Sequence, residues 1–296
     1  MLFTLENGGR HRRRHGRPGP ARKRRVPLVL AGIAGIAAVG VVTKLVLFAG
    51  SPVVSTASSL ISSPCQNVVV PAYFYPGGGW TRATNSNPVP RIMILDVAGS
   101  GAGNAPERKY QTAVKQARAA GVTVLGYSDT NYTKRPPAQI EADVRNYKAW
   151  YGVTDIFLDQ VSSGRGQLGY YRNLSRYIHG VNPGSAVMLN PGTYPDQRYM
   201  SAGDILLVFE NTYANYLSLQ VPSWVRRYPA TRFAHVIYAT SASQLPDAIS
   251  LARQRHAGFV YVTNGTGLER YNSLPSYWSS ENAIIAGCTH APGGAG

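Results

Sequence analysis

Cysteine is nearly absent from this chain: two residues, Cys65 and Cys288, among 296, with no Cys-x-x-Cys pair. Zinc-ribbon and thioredoxin-type chemistry are therefore excluded. Acids are also scarce, fourteen Asp and Glu against thirty Lys and Arg. No Gly-x-Ser-x-Gly elbow is present, so a Ser/His/Asp hydrolase lacks its nucleophile turn. No Gly-x-Gly-x-x-Gly follows the first apolar run, which removes a dinucleotide-binding sheet. Histidine is sparse beyond residue 50, only His179, His235, His256 and His290. His179 and His256 fall in predicted C-terminal helix turns, where a cation is favourable without any chemistry. No His/Asp/Glu spacing suits a metal, and neither metal nor organic cofactor is expected.

The charge is unevenly spread. Residues 1–50 carry ten Lys and Arg against Glu6, a net +9, while the other 246 carry twenty against thirteen, a net +7. The whole-chain excess thus reflects its head, and no dense basic-aromatic stripe suggests nucleic-acid binding. His11–Arg25 (HRRRHGRPGPARKRR) is followed by Val26–Phe48, apolar apart from Thr43 and Lys44. About 23 residues at helical rise span roughly 34 Å, enough to cross a bilayer. The basic run should stay cytoplasmic, placing everything beyond residue 50 outside. An uncleaved signal-anchor fits the length, while a signal peptide cut near Ser55–Thr56–Ala57 remains open and would give a secreted protein. The expected organisation is a basic tail (1–25), a transmembrane signal-anchor (26–50), a linker (51–66), a catalytic domain (67–288) and a flexible tail (289–296). A monomer is expected.

From Asn67 onward, eight short apolar runs recur: Val68–Phe74, Arg91–Val97, Thr123–Asp129, Asp155–Asp159, Ala186–Asn190, Asp204–Glu210, Phe233–Thr240 and Phe259–Asn264. Several are apolar at consecutive positions, as strands buried on both faces are. Helical stretches separate them: Glu107–Ala120 before Gly121, Pro137–Trp150, Leu168–His179 and Ser243–His256. Pro76–Pro90 shows no helical pattern and reads as a loop, and Gly192–Gly203 as little more than a turn. Eight strands with crossovers in about 230 residues predict an α/β fold, a (β/α)8 TIM barrel behind the N-terminal transmembrane segment. In such a barrel the first and last strands are neighbours, so Cys65 and Cys288 can meet in a disulfide, which implies an oxidising compartment.

Chemistry in this fold sits at the C-terminal strand ends. There the chain carries Tyr73 and Tyr75, Asp96, Tyr127 and Asp129, Asp159 and Gln160, Asn190, Glu210, Tyr238, and Asn264. Tyrosines offer flat apolar faces and the amides and acids bond hydroxyls, a lining suited to a polysaccharide. Glycoside hydrolysis needs two carboxyl groups. Asp159 on strand four and Glu210 on strand six are the best-placed catalytic pair, since alternate strands share a layer. The apolar strand before Glu210 leans the proton-donor role toward it and the nucleophile or base role toward Asp159. Asp96 is expected to organise the Gly-rich loop after it or to touch substrate. Asp155 and Asp204 begin their strands and belong to the stability face.

The segments VPAYFYPGGGW (70–80), LDVAGSGAG (95–103), AGVTVLGYSDTNYTKR (120–135), YGVTDIFLDQ (151–160), MLNPGTYPDQRYM (188–200) and DILLVFENTYANY (204–216) resemble the spherulin-4 family. The resemblance runs in order through about residues 68–285. It implies a (β/α)8 barrel and kinship with endo-acting hydrolases of α-1,4-linked galactosamine polymers, acetylated or not, related to the endo-α-1,4-polygalactosaminidases. Carried over by position, the family's Asp-Glu falls on Asp159-Gln160 and its strand-six Glu on Glu210. Gln160 departs from that pattern and motivates a second reading, a non-catalytic, lectin-like barrel; a purely structural surface protein is a third. The positive barrel suits an acetylated or neutral glycan better than a cationic one.

Overall fold

The apolar runs become strands because β-branched residues buried on both sides have nowhere to go but a sheet covered by helices. The computed structural model describes residues 56–61 and 65–287. Eight parallel strands close into a barrel in chain order: β1 (Asn67–Ala72), β2 (Ile92–Leu95), β3 (Thr123–Asp129), β4 (Asp155–Asp159), β5 (Val187–Leu189), β6 (Ile205–Thr212), β7 (Phe233–Tyr238) and β8 (Phe259–Val262). Closure runs through Asn67 opposite Phe259 and Val68 opposite Val260. All residues of β2, β5 and β8 are buried.

Helices cover the barrel: α2 (Gly78–Thr84), α3 (Arg108–Ala119), α4 (Pro137–Asn146), α5 (Leu168–Val181), α6 (Tyr213–Leu217), α7 (Leu245–Gln254) and α8 (Trp278–Ala286). Between β5 and β6 only a 3-10 turn, Gln197–Ser201, intervenes, as the short connection predicts. α3 buries Tyr110, Ala113, Val114 and Ala117, the i, i+3, i+4, i+7 stripe of an amphipathic helix.

Three expectations are corrected. The first connection is not all loop, because α2 forms there, tied down by Trp80, whose indole donates to the Phe74 carbonyl. The predicted helix Pro137–Trp150 does not run through as one α-helix. It changes at Tyr147 into a π turn, Tyr147–Tyr151, ending at left-handed Gly152. That turn lets the Tyr147 hydroxyl donate toward the Tyr127 carbonyl (2.8 Å), while its ring covers Gly126. Within the segment read as linker, α1 (Thr56–Ile61) forms; Leu60 is buried, and Arg91 donates to Ser59.

The basic tail, the apolar segment Val26–Phe48 and Cys288 lie outside the described residues. Cys65, just before β1, is not a free thiol. Among the described residues, no helix is long and apolar enough to cross a membrane.

Candidate active site

β4 carries an aspartate at each end, and the two do different work. Asp155, at the start, accepts from the Ala186 amide (2.7 Å) and ties β4 to β5. Asp204, likewise before its strand, accepts from the Val187 amide and faces His179 at 3.4 Å. Asp159, at the other end, points into the mouth. Its Oδ2 accepts from the Tyr127 hydroxyl and its Oδ1 from Asn190 Nδ2, each at 2.7 Å. Burial raises the Asp159 carboxyl to about 6, the charge of Glu210 adds to the rise, and the Tyr127, Gln160 and Asn190 donors oppose it.

Glu210 is aimed by an irregularity. β6 pairs with β7 at Leu207–Ala234 and then at Phe209–His235, leaving Val208 as an extra residue. A bulge of this kind bends a strand and redirects the side chains after it. Glu210 then receives the Tyr271 hydroxyl on Oε1 (2.9 Å) and Asn190 Nδ2 on Oε2 (2.6 Å). Arg270 stands 4.0 Å from Oε1, its guanidinium packed over the rings of Tyr238 and Tyr271.

Asn190 joins the pair. Its Oδ1 accepts from the Gly192 amide (2.9 Å), which leaves Nδ2 facing both carboxyl groups. Gly192 sits at φ 63, a left-handed conformation that glycine adopts without strain. One amide nitrogen therefore bonds both carboxyl groups, so their facing oxygens are at most 5.3 Å apart. Burial and the neighbouring Glu210 charge thus favour the protonated form of Asp159 up to about pH 6.

A cavity of about 360 Å³ opens over the pair, lined by Tyr132, Asp159, Gln160, Asn190, Pro191, Gly192, Glu210 and Arg270. Of the residues expected from sequence, Asp159, Gln160, Asn190 and Glu210 meet here. Tyr73 packs its ring edge-on against Tyr127 and Tyr271, and burial raises its phenol, with the Asp159 and Glu210 charges adding.

The other expected residues do different things. Tyr75 is 53% exposed and bonds Glu107. Asp96 accepts from the amides of Ala98 and Gly99, organising the Gly-rich loop as expected. Asp129 is half-buried beside Arg135, and burial raises its carboxyl. Tyr238 donates to Asn211 and supports Arg270, and Asn264 accepts from the Ser276 amide. His235 is fully buried, 2.7 Å from the Tyr216 hydroxyl, and burial drops its pKa to about 3.

Sequence reasoning missed Arg270, Tyr271 and Tyr132. The first two sit in the long connection after β8, and Tyr132 in the turn after β3. Arg270 and Tyr271 carry no signal beyond their place in a loop that follows a strand C-terminus, whereas Tyr132 lies within the segment 120–135 that carries the family resemblance.

The model of the spherulation-specific family 4 matches residues 67–285. Spherulin-4 of Physarum polycephalum is 31% identical over 254 residues, covering 81% of this chain and 76% of the relative. Among solved structures, Sph3 of Aspergillus clavatus in complex with GalNAc superposes with a TM-score of 0.66 at 25% identity. That match covers 76% of this chain and 98% of Sph3.

Proposed function

The chain belongs to the spherulation-specific family 4, and from that premise we propose that its barrel mouth hydrolyses glycosidic bonds within an α-1,4-linked galactosamine- or N-acetylgalactosamine-containing polysaccharide. The observation that carries the reading is the Asn190 amide holding two carboxyl groups over one open cavity. One carboxyl of the pair protonates the leaving oxygen, and the other attacks the anomeric carbon. Water, deprotonated by the first, then releases the sugar from the second. Facing oxygens within about 5 Å suit this double displacement, and so net retention; an inverting site needs roughly 6.5–9.5 Å to seat a water. Hydrolysis requires two carboxyl groups, so Gln160 does not remove the machinery.

The GalNAc bound in the Sph3 crystal supports an N-acetylgalactosamine-containing substrate. Arg270 in the mouth and the net +7 beyond residue 50 favour neutral or acetylated sugars over a fully cationic polymer. We also propose that the domain works outside the cell. It is held by Val26–Phe48 as a signal-anchor, or released by cleavage near residue 56, with Cys65 bridged to Cys288.

The test is release of reducing ends from an N-acetylgalactosamine-rich polymer. Wild type should hydrolyse it, and Asp159→Asn and Glu210→Gln should each lose at least about a thousandfold. Fresh product should carry the α configuration by NMR. Hydrolysis untouched by both substitutions refutes the assignment. Polymer binding without hydrolysis by wild type favours the lectin reading, to which the unbonded Gln160 amide in the mouth lends itself.

A further inference from the structure

Left-handed backbone outside glycine is unusual, and here it gathers beside the catalytic pair. Asn131, Tyr132 and Thr133 have φ of 42, 52 and 76, and Gln160, next to Asp159, has φ of 49. Such conformations are disfavoured for residues with a Cβ, most of all for β-branched threonine, and persist only where surroundings impose them.

The surroundings are specific. The Tyr132 amide donates to the Gln160 carbonyl (2.8 Å), and the Thr130 amide to the Asp159 carbonyl (3.0 Å). The buried Thr130 hydroxyl lies 2.9 and 2.8 Å from those same two carbonyls. The Thr133 and Arg135 amides both return to the Thr130 carbonyl. The turn after β3 is thereby locked to the end of β4.

What this lock presents is a ring and an amide. Tyr132 is 55% exposed, one of few large hydrophobic side chains so exposed among the described residues, and it lines the cavity with Gln160, Asp159 and Glu210. The Gln160 side chain makes no hydrogen bond among the described residues, so its donor and acceptor are both free for a ligand. An exposed aromatic face beside an unspent amide, held on strained backbone at the lip of a polar cavity, is the makeup of a binding site for an amphipathic ring.

We propose that Tyr132 and Gln160 form one sugar subsite beside the cleavage point, Tyr132 stacking on the C–H face of a pyranose and the Gln160 amide bonding a hydroxyl or carbonyl substituent on it. This rests on the mouth taking a glycan and not on the bond being cut.

The experiment measures binding of an N-acetylgalactosamine-rich polymer to the full chain by affinity electrophoresis, in an Asp159→Asn background so that turnover does not interfere. Tyr132→Ala should weaken binding about tenfold, and Tyr132→Phe, which keeps the ring, should stay within about twofold. Gln160→Ala should weaken it severalfold, and Gln160→Glu should shift preference toward a deacetylated, cationic polymer. The exposed position of Tyr132 leaves folding intact, which thermal melting checks. Unchanged binding by Tyr132→Ala, a Phe variant as weak as Ala, or no binding by the parent overturns the subsite. Ring-dependent binding with no hydrolysis by wild type keeps the subsite and removes the hydrolase; hydrolysis with Tyr132→Ala binding normally does the reverse.

Discussion

Replacing Asn190 probes the site at its narrowest point. In Asn190→Ala both carboxyl groups lose a donor, at 2.7 Å to Asp159 and 2.6 Å to Glu210. Hydrogen bonds to charged groups contribute about 1.5–3 kcal/mol each, and water entering the cavity recovers part of that. A net loss of roughly 3 kcal/mol in the transition state lowers kcat/KM by roughly a hundredfold. Asn190→Asp is the sharper variant, since it sets an oxygen of a third carboxyl group where the donor was. Like charges at that distance cannot all ionise, so the pair holds its proton to higher pH. The basic limb of the kcat/KM profile, expected near the Asp159 value of about 6, should move upward. The backbone of Asn190 donates to Leu158 and accepts from Val161, and neither substitution touches those bonds, so the fold should survive. Reducing-end assays across pH, with melting curves alongside, measure both effects. An alanine variant within about threefold of wild type at its optimum, or an aspartate variant with an unmoved limb, would refute the bridging role.

Tyr127→Phe removes a donor that stabilises ionised Asp159, so the same basic limb should rise in pH while the polymer KM changes little. Gly126→Ala places a Cβ 2.6 Å from the Tyr147 ring. Overpacking of this kind costs about 1–3 kcal/mol, and calorimetry should show Tm lower by roughly 5 °C. Glu281 is fully buried on α8, with burial raising its carboxyl from 4.5 to about 8. The folded state thus favours the protonated form, and its contribution is full below pH 4.5 and lost as pH rises through about 8. Denaturant titrations should show stability falling by up to about 1.4 kcal/mol per pH unit across that window, with Glu281→Gln flattening the slope.

The barrel was legible because burial on both faces writes itself as consecutive apolar residues. ILLVF on β6 and IMIL on β2 could be little else. Strand-end acids were legible for the related reason that an acid closing an apolar run must face something polar. What escaped lacks periodicity. α2 begins with two glycines after a third, and only the buried Trp80 shows why it forms. The turn at Tyr147 hides inside a good helical pattern. Tyr75 and Asn264 sit at strand ends yet turn aside, since Glu107 and the Ser276 amide offer partners that no local spacing reveals. Tyr271 reaches Glu210 across sixty-one positions of chain, a distance no motif spans.

The extra residue at Val208 and the brief strand β5 together change what kind of part Asn190 is. Beyond β5, the Gly192 amide donates to Leu207 and its carbonyl accepts from Glu210, so the loop continues the sheet alongside β6. The gap between the Asp159 and Glu210 carboxyl groups is thus gauged from the strand between them. Gly203 abuts Leu189, the last residue of β5 and the one before Asn190, so closely that a Cβ there would stand 2.8 Å from the leucine side chain. A small slide of β5, too slight to register in melting, would detune both acids at once. Variants at Gly192, which joins this strand to β6 without filling the core, should therefore lose turnover before they lose structure.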